Sequence, residues 1–406
     1  MELTVNKRFS NNIEVMEKVK LVDVADIIAG QSPPSDTYNK DKVGLPFFQG
    51  KTDFGYQNPT PRTWCSKPLK IAEPLDILVS VRAPVGSVNI NTENACIGRG
   101  IMSVRAKKRA ERRHASREKL IHQKYLYYYF IKFEERIEAL GTGSTFKAIK
   151  KSELENLEIP LPSLPSQQKI AEILDTADQL RQYNKQLIEK YDALTQSLFL
   201  EMFGDPVRNK KGWEVTSIRE LCSEVKYGTS EKSIENGTFS YLRMNNITYG
   251  GYMDFSNLKY IDIPEKDVHK YLVKKGDILF NRTNSKELVG KTGLITTDQE
   301  YIIAGYLIRV RTNELANPYY IWAHLNSKWS KMTLNNMCKN IVGMANINAQ
   351  ELQDIQILKA PILLQNQFAE RVQIIETQKQ QAQEALAKSE DLFQGLLQRA
   401  FKEELV

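Results

Sequence analysis

Apolar residues recur at helical spacing between Ser166 and Phe203, a stretch of 38 residues without proline or glycine. Ser166 is a favourable N-cap, and Gly204 and Pro206 follow the last apolar turn, so the pattern predicts one helix about 57 Å long. Two rows of mainly apolar residues at heptad spacing, here called seams, continue over five heptads and predict a coiled coil. The two seams are Ile170, Ala177, Asn184, Tyr191, Leu198 and Ile173, Leu180, Leu187, Leu194, Glu201.

The chain repeats itself at an offset of 198 residues. LENLEIPLPSLPSQQKIAE at 154–172 matches LQDIQILKAPILLQNQFAE at 352–370, and the phase holds to the end of each segment. DILVSVRAPVGSVNI from Asp76 resembles DILFNRTNSKELVGKTGLI from Asp277. A period this long indicates two copies of a domain and not a solenoid.

The repeat predicts a second long helix from about Gln365 to Phe401, although its apolar stripe is weaker. Two helices of matched length predict an antiparallel pair within the chain, with the globular domains at its opposite ends. The alternative is that each helix packs on its own globular domain. We favour the antiparallel pair, because helices this long extend beyond the face of a single domain.

The rest of the sequence contains short β-branched and aromatic runs, such as DILVSV and YIIAGYLIRVR, bounded by Gly, Pro, Asn and Asp. These runs predict strands, and shorter helices follow near 120–140 and 317–335. The predicted fold class is α+β: two globular domains separated by two long antiparallel coiled-coil helices, in an internal two-fold repeat. The predicted boundaries are 1–153 and 206–351 for the domains, and 154–205 and 352–406 for the helices.

Charge alternates along these four segments. The net charge is +7 in total, and it is +9 over 1–153, −5 over 154–205, +5 over 206–351 and −2 over 352–406. A polyanion is expected on the basic domains and not on the acidic helices. Chance surface charge is an equally good explanation for either basic domain alone.

Composition excludes several classes of protein. The four cysteines, Cys65, Cys96, Cys222 and Cys338, form no CxxC pair, and the four histidines form no metal-binding pattern. No apolar run approaches the roughly 18 residues of a membrane span, and the first residues contain no apolar core of a secretory signal. A cytoplasmic protein without a structural metal is expected.

Four segments carry a resemblance to a known family: IPLPSLPSQQKIAEIL at 159–174, LFLEMFGDPVRNKKGWE at 198–214, DILVSVRAPVGSV at 76–88 and GDILFNRTNS at 276–285. Together with the two-copy layout, they make the chain resemble the specificity subunit of type I restriction–modification systems. The resemblance implies two target-recognition domains that each read half of a bipartite DNA site. The chain departs from the family at the second proline-rich segment, ILKAPILLQNQ, and at 107–119, which has no counterpart in the second copy.

The resemblance also implies partners and a division of labour. It implies that two methyltransferase subunits dock on the chain, that restriction (translocase-nuclease) subunits join them, and that this chain catalyses nothing itself. S-adenosylmethionine, ATP and Mg²⁺ are then expected in the partner subunits, with no cofactor in this chain. The chain contains neither an NPPY adenine-methyltransferase motif nor a Walker A sequence, which agrees with a subunit that only binds.

Polar residues in the loops between predicted strands are candidates for contact with double-stranded DNA, because Arg pairs with guanine and Asn or Gln with adenine. For each residue alone, a turn-forming role is the commoner alternative. Arg82, Arg282 and Lys147 are candidates for phosphate contact; Arg82 and Arg282 follow matching strands at nearly equivalent places. The full set is Gln31, Ser32, Gln49, Lys51, Arg62, Arg82, Lys147, Lys226, Thr229, Arg243, Asn245, Asn246 and Arg282.

Other features have two interpretations. The basic segment 105–119 could follow a phosphate backbone or be a solvated loop. The tyrosines at 125–129 and Trp322 are expected in helix cores and not as base-stacking platforms. The acidic helix positions predicted to bind the methyltransferase partners are Glu172, Asp175, Asp178 and Glu189.

Two other classes of function remain open. One is a self-contained DNA methyltransferase or endonuclease with unrecognised motifs. The other is a coiled-coil adaptor without a DNA role. Binding of DNA by the chain with its methyltransferase partner distinguishes the adaptor, and catalysis without a partner distinguishes the enzyme.

Overall fold

The computed structural model describes residues 18–107, 120–141, 148–285, 288–337, 339–341 and 344–402. The chain forms two compact units: Met1–Gln182 with Ala387–Val406, and Tyr183–Leu386. This division cuts both long helices, so each unit contains one globular domain and a segment of each helix.

The first unit begins with short strands and ends with the first long helix. Its strands are β1 Lys18–Lys20, β2 Ala25–Ala29, β3 Tyr38–Asn39, β4 Leu45–Phe48, β5 Trp64–Cys65, β6 Ile71–Ala72, β7 Ile77–Ser80, β8 Val88–Ile90, β9 Ala95–Ile97, β10 Ile101–Ala106 and β11 Glu158–Pro160. Its helices are α1 Leu21–Val24, α2 Gln123–Lys132, α3 Glu134–Ala139, α4 Lys151–Glu155 and α5 Leu164–Phe203, the last of which continues into the second unit.

Two larger sheets and a two-stranded ladder make up the first unit. An antiparallel sheet has the strand order β2-β10-β7-β8, and a mixed sheet has the order β3-β5-β4-β9-β6. The chain enters the mixed sheet between β2 and β7, and β9 leads back to β10 of the antiparallel sheet. The ladder pairs β1 with β11, the strand immediately before α5.

The second unit repeats this order. Its strands are β12 Glu214–Ser217, β13 Cys222–Tyr227, β14 Phe239–Leu242, β15 Lys259–Ile261, β16 Leu272–Val273, β17 Ile278–Asn281, β18 Thr283–Asn284, β19 Thr292–Leu294, β20 Tyr301–Ile303, β21 Leu307–Thr312, β22 Lys339–Ile341, β23 Met344–Asn346 and β24 Gln356–Lys359. Its helices are α6 Glu265–Tyr271, α7 Pro318–Asn326, α8 Lys328–Met337, α9 Ala349–Gln353 and α10 Ile362–Ala400, the last of which continues into the first unit.

Sheet topology confirms the internal repeat. The order β13-β21-β17-β19 corresponds to β2-β10-β7-β8, and β15-β14-β20-β16 corresponds to the core of the mixed sheet. The ladder of β12 with β24 corresponds to that of β1 with β11. The starts of α5 and α10, Leu164 and Ile362, differ by the predicted offset of 198 residues. Mixed helix and sheet is thus the observed class.

The ends of α5 follow local chemistry. The helix begins at Leu164, two residues before the predicted N-cap, and includes Pro165 in its first turn, where a missing N–H costs no hydrogen bond. It ends as predicted at Phe203, because Gly204 has φ +85°, a conformation that residues with a Cβ rarely adopt. The Lys211 ammonium donates to the carbonyl of Met202 at 2.9 Å, which satisfies one of the last helical carbonyls.

Within each unit, segments of the two long helices pack antiparallel. In the second unit, Asp192 of α5 pairs with Lys379 of α10, and Phe203, further along α5, packs on Phe368, further back along α10. In the first unit the core contains Ile170, Leu174 and Ala177 of α5 together with Phe393, Leu397 and Ala400 of α10.

Only one of the two predicted seams of α5 is mainly buried. Ile170, Ala177 and Leu198 are buried, but Leu180, Leu187 and Leu194 of the second seam are between 38% and 47% exposed. The prediction that the second seam faces the partner helix is therefore wrong at these three leucines. The apolar face shifts to residues such as Leu174 and Phe199, since the helix also covers the globular part of each unit.

The shorter helices confirm their predicted core role. Residues 120–140 form α2 and α3 with a break at Phe133, and 317–335 form α7 and α8 with a break at Ser327. Tyr125 to Tyr129 and Trp322 are all buried. Two tyrosines also fix the strand that precedes each long helix: the Tyr125 hydroxyl donates to Pro160 O at 2.9 Å, and the Tyr320 hydroxyl donates to Leu358 O at 2.5 Å.

We expect Tyr320→Phe to destabilise the second unit by about 1 kcal/mol, because the carbonyl of Leu358 loses the buried hydroxyl donor and keeps only the bond from the Ala360 amide. Tyr125→Phe is the matched change in the first unit. Differential scanning calorimetry of both variants measures the effect. Unfolding transitions that coincide with the wild type in both variants would contradict the prediction.

Candidate nucleic-acid interface

Four loops meet at one place in the first unit. The Gln31 amide donates to Ile97 O at 2.9 Å, the Gly98 amide to Phe48 O at 2.8 Å, and the Val81 amide to Gly100 O at 2.9 Å. These bonds join the segments that follow β2, β4, β7 and β9. Main-chain groups make all three bonds, so these bonds engage no side chain of the loops.

Glycine makes this meeting of loops possible. A Cβ at position 30 would lie 2.2 Å from Gly98 O, and one at position 100 would lie 2.1 Å from Gln49 O. Both distances are far below van der Waals contact, so a larger residue would push the loops apart. The second unit has the same constraint, since a Cβ at Gly228 would lie 2.2 Å from Ile303 O.

Most of the predicted contact residues of the first unit lie on these loops. Gln31, Gln49, Lys51 and Arg82 are exposed. Ser32 is half-buried, and its hydroxyl accepts a hydrogen bond from the Arg99 amide at 3.3 Å.

The pairing of β4 with β5 places the exposed Arg62 near these loops. The Phe47 amide donates to Thr63 O at 2.8 Å, and β4 and β5 are antiparallel, so residue 62 is opposite the end of β4 that leads to Gln49. Lys147, the last candidate from this half of the chain, is outside the described residues.

The second unit makes the same main-chain connections. The Thr229 amide donates to Ile303 O at 2.9 Å, the Ala304 amide to Leu242 O at 2.9 Å, and the Arg282 amide to Tyr306 O at 3.0 Å. Position by position, Thr229 therefore corresponds to Gln31, and Tyr306 corresponds to Gly100.

Two predicted base contacts in the second unit are wrong. Thr229 and Asn246 are only 4% and 2% exposed. The Thr229 hydroxyl accepts from the Glu231 amide at 3.2 Å, and the Asn246 side chain accepts from the Arg243 amide at 2.9 Å and donates to Asp254 O at 2.9 Å. Both side chains hold their own loops together, which is the turn-forming alternative.

The remaining candidates of the second unit are at the surface in different degrees. Asn245 is exposed, and Lys226 is exposed and paired with Glu224 at 2.6 Å. Arg243 is half-buried and donates to Asn257 O at 3.2 Å.

Arg82 and Arg282 are not equivalent. Val81 and Arg282 both donate to the turn that precedes the neighbouring strand, and the carbonyls of the same two residues accept from Ile149 and Ile347. Arg282 is thus the structural equivalent of Val81, and Arg82 comes one residue later in the first unit. The Arg282 guanidinium lies 4.8 Å from the ring centre of Tyr227. Side chains of consecutive extended residues point in opposite directions, so the two arginines cannot make matching phosphate contacts.

Sequence reasoning missed two exposed residues at these loops. Arg99 is exposed in the turn from β9 to β10, and Tyr306 is 52% exposed at the matching turn of the second unit. Arginine supplies bidentate donors for guanine or phosphate. The signal available for Arg99 was the sequence IGRGI, an arginine between two glycines in a predicted turn.

The basic segment 105–119 is described only at its start. Arg105 forms a bidentate ion pair with the buried Asp76, at 2.6 and 2.7 Å, which raises the pKa of its guanidinium. Arg311 pairs with Asp277 in the same way in the second unit. Arg105 is therefore structural, and residues 108–119 are outside the described residues.

The four acidic positions on α5 have different environments. Glu172 and Glu189 are exposed. Asp175 accepts from the Tyr128 hydroxyl at 2.7 Å and pairs with Lys124. Asp178 is 9% exposed and pairs with Arg181 at 2.6 Å, so the prediction that it offers an outer surface to a partner subunit is wrong.

Two further findings concern what the described residues lack. None of their helices is both long and apolar enough to cross a membrane. No three His, Cys, Asp or Glu side chains among them gather closely enough to hold a metal ion.

Comparison with known proteins places these units in a family. The family described as type I restriction modification DNA specificity domain matches residues 13–191 and 210–386. The putative type I restriction enzyme MjaX specificity subunit of Methanocaldococcus jannaschii is 41% identical over 195 residues, 46% of this chain and 44% of the relative. The EcoKI specificity subunit of Escherichia coli strain K12 is 26% identical over 293 residues, 67% of this chain and 63% of the relative.

The chain thus spans less than two thirds of the length of these curated relatives. The crystal structure of a type I restriction–modification S subunit from M. genitalium has a TM-score of 0.62 and 18% identity, covers 97% of this chain and 98% of its own, and shows the same fold. The family match covers both repeats and includes both sets of converging loops. The chain therefore belongs to the family of type I restriction modification DNA specificity domain proteins.

Proposed function

We propose that this chain is the DNA-specificity subunit of a type I restriction–modification complex, and that each of its two units reads one half of a bipartite DNA site. The observation that carries the proposal is the same convergence of four loops in both units, inside the two regions that match the family. A rigid main-chain framework with exchangeable outward side chains is what reading of base edges requires.

The two half-sites differ in sequence under this proposal. Gln49 of the first unit corresponds to Arg243 of the second. The main-chain amide of each donates to a side chain of the short turn that follows it, Asp53 in the first unit and Asn246 in the second. Glutamine pairs with adenine and arginine with guanine. Arg99 adds a hydrogen-bond donor to the loops of the first unit, and Tyr306 adds an aromatic ring to the loops of the second.

The chemistry resides in partner subunits under this proposal. Two methyltransferase subunits supply S-adenosylmethionine-dependent methylation of adenine, and restriction (translocase-nuclease) subunits supply ATP- and Mg²⁺-dependent translocation and cleavage. This chain positions them on cytoplasmic DNA. The exposed Glu172, Glu189, Leu187 and Leu194 of α5 support docking of the methyltransferase subunits along this helix.

The long helices set the spacing between the half-sites under this proposal. The antiparallel packing of their segments within each unit supports a coiled coil that works as a ruler. A rod of about 57 Å corresponds to about 17 base pairs at ~3.4 Å each, an upper bound on the recognised site.

The alternatives make different predictions. A self-contained enzyme would methylate or cut DNA without partners. An adaptor without a DNA role would leave DNA unshifted in a gel even with the methyltransferase partner.

Genome-wide mapping of N6-methyladenine, in a host that carries this chain with its methyltransferase partner, tests the function directly. We expect one bipartite motif. Replacing residues 1–153 with the same region of a relative should change one half-site and leave the other half and the spacer intact. A swap that changes both half-sites together would contradict the two-reader proposal.

We expect Arg99→Ala to weaken binding by about 1–3 kcal/mol and to relax base preference at one position of one half-site, because the exposed guanidinium is lost from the converging loops. Competitive binding to DNA with single-base substitutions measures both effects. Arg208→Ala is the control: Arg208 is exposed but lies beyond α5, outside the loops. Equal effects of the two variants would speak against a base contact by Arg99.

Insertion of seven residues after Lys185 should lengthen the spacer or abolish binding, because it adds about 10 Å to α5 alone. Methylation mapping with the same partner measures the spacer. An unchanged spacer would show that the helices are not the ruler.

A further inference from the structure

A polar cluster in the first unit, buried at Asp178 and Arg181, connects a loop that carries candidate base contacts to both long helices. The Tyr56 hydroxyl donates to Asp178 on α5 at 2.6 Å. Asp178 pairs with Arg181 at 2.6 Å, and Arg181 also donates to the Tyr56 hydroxyl and to Glu390 on α10, the latter at 2.7 Å. The Arg181 guanidinium lies 3.9 Å from the ring centre of Phe393 and is 8% exposed.

The second unit contains a cluster with the same charges. Lys379 on α10 is 7% exposed, pairs with Asp192 on α5 at 2.5 Å, and lies 3.3 Å from the ring centre of Tyr252. Burial and the nearby Glu376 and Asp192 carboxylates raise the pKa of the Tyr252 hydroxyl. Each cluster thus consists of a loop tyrosine, an acid and a base three residues apart on one long helix, and a second acid on the other helix.

The two clusters are copies of one another. Asp178 and Glu376, Arg181 and Lys379, and Asp192 and Glu390 are all separated by the repeat offset of 198 residues. The residue types differ at every pair, while the charge at every position is the same. The members that are buried, Asp178, Arg181 and Lys379, require a partner of opposite charge, which accounts for the charge kept at these positions.

Each tyrosine belongs to the segment that carries the candidate base contacts. Tyr56 follows the short 3₁₀ turn Lys51–Asp53, and Tyr252 is in the loop that follows the turn Met244–Asn246. Burial and the Asp178 carboxylate raise the pKa of Tyr56 to about 12.

A cavity lies beside each cluster. The first cavity has a volume of about 320 Å³ and is lined by Lys51, Tyr56, Asn89, Asp178 and Arg181 among others. The second has a volume of about 530 Å³ and is lined by Tyr252, Phe255, Tyr319, Glu376 and Lys379 among others. At the edge of each cavity the polar cluster supplies contacts between the loop and the long helices.

We propose that the Tyr56–Asp178–Arg181–Glu390 and Tyr252–Glu376–Lys379–Asp192 clusters are positioning clusters, which hold the base-reading loop of each unit in a fixed orientation on the helix pair. The proposal rests on the function proposed above and names residues that determine its specificity without touching DNA. Each cluster acts on its own half-site.

Tyr56→Phe and Tyr252→Phe test this with the chain in complex with its methyltransferase partner. Each change keeps the ring and removes only the hydroxyl, and each variant is the control for the other. The measurement is the ratio of dissociation constants for DNA with one base changed in the first or the second half-site and for the cognate site. Calorimetry of both variants establishes that they are folded.

We expect Tyr56→Phe to lower discrimination about tenfold at one half-site only, and Tyr252→Phe to do the same at the other half-site only, the scale of one mismatched base pair. The double variant D178E/R181K, which gives the α5 acid–base pair of the first cluster the residue types of the α10 pair of the second, should retain discrimination. R181Q should lose it, because Asp178 and Glu390 would be left without their cation.

Discrimination that is unchanged in both tyrosine variants, or lowered equally at both half-sites, would overturn the positioning role. Equal loss in D178E/R181K and R181Q would do the same, since charge would then not be the determinant. A wild-type complex that does not discriminate between bipartite sites would instead refute the proposed function, so the two failures are distinguishable.

Discussion

The structure depends on giving each long helix a buried face, because a helix of 40 residues gains most of its stability from tertiary packing. Neither helix finds that face on the other helix alone. Leu174 and Phe393 join the core of the first unit, and Phe199 and Phe368 join that of the second. The globular domains and the helices thus share their cores, and each unit contains a part of both.

The repeat and the long helices could be predicted from the sequence because they extend over many residues. The sheet order is the same in both units, and an offset of 198 residues separates the starts of α5 and α10 and the charged residues of the two helix clusters. The burial of the seam residues is harder to predict. Heptad spacing cannot distinguish a helix that packs only on another helix from one that packs on a helix and on a globular domain. Leu180 and Leu187 fit the pattern and are nevertheless exposed.

The site was predicted at the level of loops but not of side chains. Gln31 and Gln49 are exposed on the loops, as their positions in the sequence predict. Asn246 instead turns inward and caps its own turn, a contact that only the folded structure reveals. The buried Asp178 was misread for a similar reason: in sequence it is one acid among many on a negative helix, and only the packing brings Tyr56 and Arg181 to it.

The helix clusters have a consequence for how such a chain could arise. One repeat alone contains the acid–base pair Asp178 and Arg181 together with the acceptor Asp192 of the other cluster, and the second repeat contains Glu376, Lys379 and Glu390. A half-length ancestor with this set would present both sides of the contact. Two identical copies could then associate antiparallel as a closed, self-complementary homodimer, and fusion of the two genes would preserve every ion pair.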